Sequence, residues 1–184
     1  MKRLYIIYVV IVAIILNVII FQKELILCNG KTILLKLAPR DPRSLMQGDY
    51  MVLRYALANN IQKKIKSKND GVVVLKVNNK GVASFKREYK QGDVINKSEW
   101  ILKYKKRGRT IRICAESFFF QEGYGEYFQG AKYGELKVSK QGDPVLIGLR
   151  NKDIEKIIPK ILIKKENQKK IKQKNEILKK PDAK

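Results

Sequence analysis

The chain has 184 residues, a formal charge of +23, no histidine and two cysteines; that length fits one domain. Without histidine, Ser-His-Asp and Cys-His catalysis and imidazole-bearing zinc sites are excluded, and two cysteines exclude a four-cysteine metal site or a disulfide-dense scaffold. A hydrophobic content of 45 % with long β-branched runs excludes disorder throughout.

Leu4 to Phe21 (LYIIYVVIVAIILNVIIF) carries no charge, and Asn17 is its one strongly polar side chain. At about 1.5 Å per residue it spans about 27 Å as a helix, close to the ~30 Å hydrocarbon core of a bilayer. Valine and isoleucine are poor helix formers in water, but lipid offers backbone groups no other partner, so helix wins. Tyr5 and Tyr8 suit the membrane interface. A cleaved signal peptide needs a shorter apolar core and small residues before the cut. The run instead exits through Ile20-Phe21-Gln22-Lys23-Glu24, and Leu27 before Cys28 is wrong for lipid attachment. The expectation is an uncleaved signal anchor over residues 1–22, meeting the bilayer through residues 4–21. Lys2 and Arg3 favour a cytoplasmic N-terminus by the positive-inside bias. Lys23, Lys31 and Lys36 oppose this, but large domains translocate largely regardless of charge. The expected location is therefore the cytoplasmic (inner) membrane, single-pass, with the folded part outside the cytoplasm.

Residues 23–150 read as a compact β-rich domain. β-branched and aromatic runs between turn signals predict strands at Thr32–Leu37, Tyr50–Leu57, Val72–Val77, Val82–Lys86, Trp100–Lys105, Thr110–Ala115, Glu135–Ser139 and Val145–Leu149. Asn78-Asn79-Lys80-Gly81 and Arg107-Gly108-Arg109 predict hairpins. Tyr124, Tyr127, Phe128 and Ala131 recur at helical spacing, predicting one short helix with Gly134 as its stop. Residues 151–184 hold twelve lysines and five acids. Ile154, Ile157, Ile158 and Ile161 share a helical face that Pro159 interrupts, and beyond Lys164 the pattern is that of a polar tail. The fold class is mainly β (α+β): one transmembrane helix, a β-rich domain with a short helix, and a basic tail.

The basic residues are spread along the chain and are mostly lysine, in company with abundant Ile and Asn, as codon-composition bias produces. A nucleic-acid binder concentrates them on one stripe with aromatic platforms, so no specific nucleic-acid partner is expected. The tail reads as a solvated basic segment, with contact to anionic lipid headgroups as the alternative.

Ala38-Pro39-Arg40-Asp41-Pro42-Arg43-Ser44-Leu45-Met46-Gln47-Gly48-Asp49-Tyr50 leads into Met51-Val52-Leu53-Arg54-Tyr55. The prolines fix an extended turn, Gly48-Asp49 makes a tight one, and a strand follows. Arg40, Asp41, Arg43 and Asp49 suit a charge-paired turn. Gly48-Asp49-Tyr50-x-x-Leu53-x-Tyr55 resembles the signature of the GDYXXLXY family of membrane-anchored bacterial proteins. The resemblance resumes at Glu116-Ser117-Phe118-Phe119-Phe120-Gln121-Glu122-Gly123, at Ala131-Lys132-Tyr133-Gly134-Glu135-Leu136 and at Val145-Leu146-Ile147-Gly148-Leu149. It implies a small protein with one N-terminal membrane helix, often encoded beside polytopic membrane proteins, in a family with no established activity.

Three functions follow as expectations. The first is a non-enzymatic accessory or interaction module for a polytopic membrane protein, with no cofactor and no metal. Its candidate surface is Arg40, Asp41, Arg43, Gly48, Asp49, Tyr50, Glu116, Phe119 and Glu122. The second is a membrane-tethered hydrolase. Ser44-Leu45-Met46 ahead of Gly48-Asp49 resembles elements of signal-peptidase-like Ser/Lys proteases, with Ser44 as nucleophile and a desolvated lysine as base. The spacing is shorter than in that family, and the sequence singles out no lysine. The third is an anionic-lipid binder acting through the tail. Glu116 and Glu122 are six positions apart with a turn signal at Glu122-Gly123, which favours structure over paired acid–base chemistry. Cys28 and Cys114 are either paired outside the cytoplasm or free thiols.

Overall fold

A computed structural model describes residues 2–38, 50–65 and 69–159, with side chains from residue 5 onward. Helix α1 (Lys2–Asn29) takes in the apolar run and continues past it. Its stretch Tyr5–Asn29 is long and apolar enough to cross a membrane, and its most apolar window packs against nothing else in the chain. Those 25 residues reach about 37 Å, so a spanning α1 carries its last turns into the headgroup layer.

Gly30 joins α1 to the first strand with no linker. Its amide donates to the Ile26 carbonyl at 2.8 Å. A Cβ at this position would overlap that carbonyl oxygen and lie 3.2 Å from the Val138 carbonyl oxygen. Both obstacles are backbone, so only glycine fits where the helix turns into the sheet.

The domain then runs β1 (Lys31–Lys36), β2 (Tyr50–Val52), α2 (Ala56–Lys64), β3 (Gly71–Val77), β4 (Val82–Glu88), β5 (Glu99–Arg107), β6 (Thr110–Arg112), β7 (Ser117–Phe119), α3 (Gly125–Phe128), β8 (Tyr133–Val138) and β9 (Pro144–Arg150). Seven strands make one sheet in the order β6-β5-β3-β4-β1-β8-β9, while β2 and β7 pair by themselves. β1 lies parallel to β4, with Leu34 opposite Val82, and antiparallel to β8. Ile33, Leu34 and Leu35 of β1 are all buried, as expected of a central strand covered on both faces. The sheet curls until the turn after β8 meets β5: the Trp100 indole donates to the Ser139 carbonyl at 3.2 Å and the Lys103 amide to the Gly142 carbonyl at 2.9 Å. One core cluster fills the concavity, drawing Leu35, Val73, Leu75, Leu102, Leu136 and Leu149 from the sheet.

The β-rich architecture and both expected hairpins are present. In the first, the Asn78 side-chain oxygen accepts from the amides of Lys80 and Val82, an Asx-type bond that closes the turn. Between Tyr50 and Leu57 the structure departs from the expected strand. The ladder with β7 stops at Val52, and after an isolated bridge from Tyr55 to Leu37 the chain winds into α2, whose Leu57 and Ile61 are buried. Met51, Leu53, Tyr55 and Leu57 satisfy a strand period, but Leu57, Ile61 and Ile65 satisfy a helical one, and burying the latter set over the sheet decides the outcome. The run Thr110–Ala115 likewise ends at Arg112, freeing Ser117–Phe119 to pair with β2. Helix α3 is a single turn, and Gly134 falls inside β8 rather than stopping a helix.

After β9 the expected helical face through Ile154, Ile157 and Ile158 does not form. The Asn151 side-chain oxygen takes the amides of Asp153 and Glu155, a local bond that competes with helix. Ile154 sits at φ 68, and the Ile157 amide returns to the Leu149 carbonyl at 3.0 Å. The tail beyond Pro159, Ile161 included, lies outside the described residues.

Among the described residues two carboxylates are buried, Glu99 and Glu135. The Lys86 ammonium is in direct contact with Glu99, and the Asn96 amide donates to its other oxygen at 3.3 Å. These bonds, led by the one from Lys86, hold the Glu99 carboxyl below the usual glutamate range. A carboxyl depressed in the folded state adds stability above its unfolded-chain pKa and loses it as the pH falls through the folded value. Stability is therefore expected to drop on acidification below about pH 4.3, and Glu99→Gln to flatten that part of the profile. Fluorescence melts of Trp100, the one tryptophan, check this across the acid range; an unchanged acid limb in Glu99→Gln would assign the loss to other groups.

Candidate interaction surface

The segments that carry the family resemblance lie far apart in sequence and meet around β2. Tyr50, Met51 and Val52 stand opposite Phe119, Phe118 and Ser117 of β7. The Leu53 amide then donates to the Glu116 carbonyl at 2.6 Å, and the Ala38 amide to the Arg54 carbonyl at 2.7 Å. Leu53 and Tyr55 are buried, and by strand alternation Arg54 between them points outward and is exposed.

Tyr55 is the keystone. Its ring lies against Gly134, where a Cβ would be 3.0 Å from the ring edge, and its hydroxyl donates to the Ala115 carbonyl at 3.1 Å. One side chain thus ties the signature to the segments around Glu116 and Gly134. Burial, reinforced by the nearby Cys114 and Glu116, pushes the phenol pKa well above its ordinary value, so the hydroxyl stays protonated and donating.

On one face of the β2–β7 pair, Phe118 and Phe120 pack on Phe128 of α3 with ring centroids 5.1 and 5.2 Å apart. On the other face Phe119 is 75 % exposed and meets Tyr50 at 5.6 Å. The exposed Phe119 ring, with the half-buried Tyr50 beside it, suits a recognition surface. Glu116 forms an ion pair with Arg112 at 3.0 Å. Glu122 is exposed in the turn after β7, and the strand between the two glutamates ends at Phe119. Arg40, Asp41, Arg43, Ser44, Gly48 and Asp49 lie outside the described residues. Cys28 is exposed and Cys114 half-buried, both as free thiols, and burial pushes the Cys114 thiol up.

Two hollows flank the signature strand, and both are lined by Val52, Leu53 and Arg54. The smaller, of about 180 Å³, is bounded by Leu37, Met51 and Phe128; the larger, of about 480 Å³, by Tyr55, Arg109 and Arg112. The candidate residues read from sequence did not include the arginines of the larger hollow. A signal existed: arginine is uncommon in a chain whose cations are mostly lysine.

On α1 itself, Val10, Ala13, Ile14, Asn17, Val18 and Phe21 share one exposed face. The Asn17 side-chain amide donates to the Ala13 carbonyl one turn back at 2.8 Å.

No curated protein and no solved structure matches the chain. A family model described as "GDYXXLXY protein" matches residues 12–149, taking in the second half of α1, the whole sheet and the β2–β7 pair. The chain belongs to the GDYXXLXY family, a family of unknown function.

Proposed function

We propose that this protein is a single-pass, non-enzymatic accessory module that binds a polytopic membrane protein. Two surfaces make the contact: the Ala13–Asn17 face of α1 within the bilayer, and the Tyr50–Phe119 pair on the domain. In this reading α1 stays uncleaved in the cytoplasmic membrane and the domain lies outside the cytoplasm, set by Lys2 and Arg3.

The observation that carries the reading is Asn17 beside Ala13 in the Leu4–Phe21 run of α1, where Asn17 is the one strongly polar side chain. A carboxamide has four hydrogen-bonding positions. Among the described residues, its side chain makes one bond, back to Ala13. In hydrocarbon the remaining donor and acceptor favour a neighbouring helix, and a small residue one turn away lets that helix approach. The direct run through Gly30 then holds the Tyr50–Phe119 pair at a fixed height from the membrane.

Tagged protein at native expression, solubilised in mild detergent, is expected to bring down a multi-span partner. Asn17→Leu keeps the span apolar and removes the polar contact, so recovery is expected to fall about 3- to 30-fold, the equivalent of an interhelical bond of about 0.6–2 kcal/mol. Recovery of the protein alone, or only with further copies of itself, refutes the reading.

A further inference from the structure

We propose that the larger hollow beside the signature strand binds a phosphate group, through Arg54, Arg109 and Arg112. This goes beyond the accessory role and does not depend on it.

The first argument is the allocation of arginine. The chain has nine arginines among its forty cations. Lysine serves wherever a generic positive charge suffices. Arginine differs by its planar fork, which grips carboxylates and phosphates through two parallel bonds. Two arginines are taken up by buried carboxylates: Arg150 meets Glu135 at 2.6 Å, and Arg87 lies 3.8 Å from Glu99. Three of the others, Arg54 from the signature strand and Arg109 and Arg112 from around β6, line one hollow of about 480 Å³.

The second argument is the charge balance. Glu116 is the one acidic residue on the wall, and it pairs with Arg112 at 3.0 Å. Among the described residues no carboxylate pairs with Arg54 or Arg109. The wall therefore keeps two uncompensated guanidinium groups, which match a phosphate dianion. Asn59 and Gln62 add neutral hydrogen-bonding groups to the same wall.

The third argument is the backbone. Tyr55 and Ala58, at the start of α2, also line the hollow. That nine-residue helix has no acidic residue in its first turn and no side-chain cap, so the positive end of its dipole is uncompensated beside the arginines. On this account, burying Leu53 and Tyr55 serves to hold Arg54 outward at a fixed point on the wall.

The test is calorimetric titration of the full-length protein in detergent, at constant ionic strength, with two probes: inorganic phosphate and dihexanoyl phosphatidic acid. Saturable phosphate binding is expected, weakened at least tenfold in Arg54→Gln and in Arg109→Gln but unchanged in Lys80→Gln, an exposed lysine of the β3–β4 turn outside the hollow. Arg109→Lys, which keeps the charge and loses the fork, is expected to weaken it as well. Phosphatidic acid binding more tightly than phosphate, with the same arginine dependence, assigns the group to a lipid headgroup. Equal or weaker binding assigns it to a soluble phosphate compound. Both arginines are exposed, so Trp100 melts of the variants are expected to match the parent. Absence of saturable binding by either probe, or binding indifferent to the arginine substitutions, overturns the proposal.

Discussion

Tyr55→Ala is expected to destabilise the domain by about 3–5 kcal/mol, the usual cost of deleting a large buried ring. The side chain is 3 % exposed and has no means of being replaced from solvent. It touches Gly134, which has no side chain to move into the void. Tyr55→Phe separates the ring from its hydroxyl. It keeps the packing and loses the bond to the Ala115 carbonyl, at a cost of about 1 kcal/mol. Denaturant titration of the full-length protein in detergent, followed through Trp100, measures both. A Tyr55→Ala loss under about 1 kcal/mol would mean that the signature tyrosine does not hold the fold together.

Arg150→Ala is the second large loss, about 3 kcal/mol, because it strands a buried charge. Glu135 is 5 % exposed, and its carboxylate takes Arg150 Nη2 at 2.6 Å. Arg150 Nη1 meanwhile donates to the Ile154 carbonyl at 2.8 Å, so the same side chain pins the turn in which Ile154 holds its positive φ. Glu135→Leu combined with Arg150→Met is expected to recover most of the loss, since a packed apolar pair replaces a buried ion pair at little cost. A double variant as unstable as Arg150→Ala alone would assign the effect to the Ile154 turn instead of the ion pair. The cycle closes by measuring Glu135→Leu and Arg150→Met each by itself.

Much of the domain is legible in the sequence because its strands follow a period of two or are covered on both faces. β1, β3, β5 and β9 coincide with β-branched runs such as Val72-Val73-Val74-Leu75. The membrane-competent helix is legible for a simpler reason: eighteen residues without a charge satisfy no other role easily. Tyr50–Leu57 reads as one strand because its first apolar positions fit two periods at once. Local pattern cannot break that tie; the sheet below α2 does, by offering Leu57 and Ile61 a place to be buried. β7 escapes sequence reading because three residues are too few to show a period.

The sequence by itself determined the apolar helix, the mainly β class and the family. Each depends on residue type and spacing over short stretches, where side-chain periodicity is set by backbone geometry. Only the tertiary structure decided that β1 lies parallel to β4, that Glu135 meets Arg150, and that Arg54 shares a wall with Arg109 and Arg112. Those juxtapositions depend on how the sheet curls and how β2 leaves it for β7. That path is chosen by the burial of the whole core at once, with Tyr55 docked on Gly134, and no local segment encodes it.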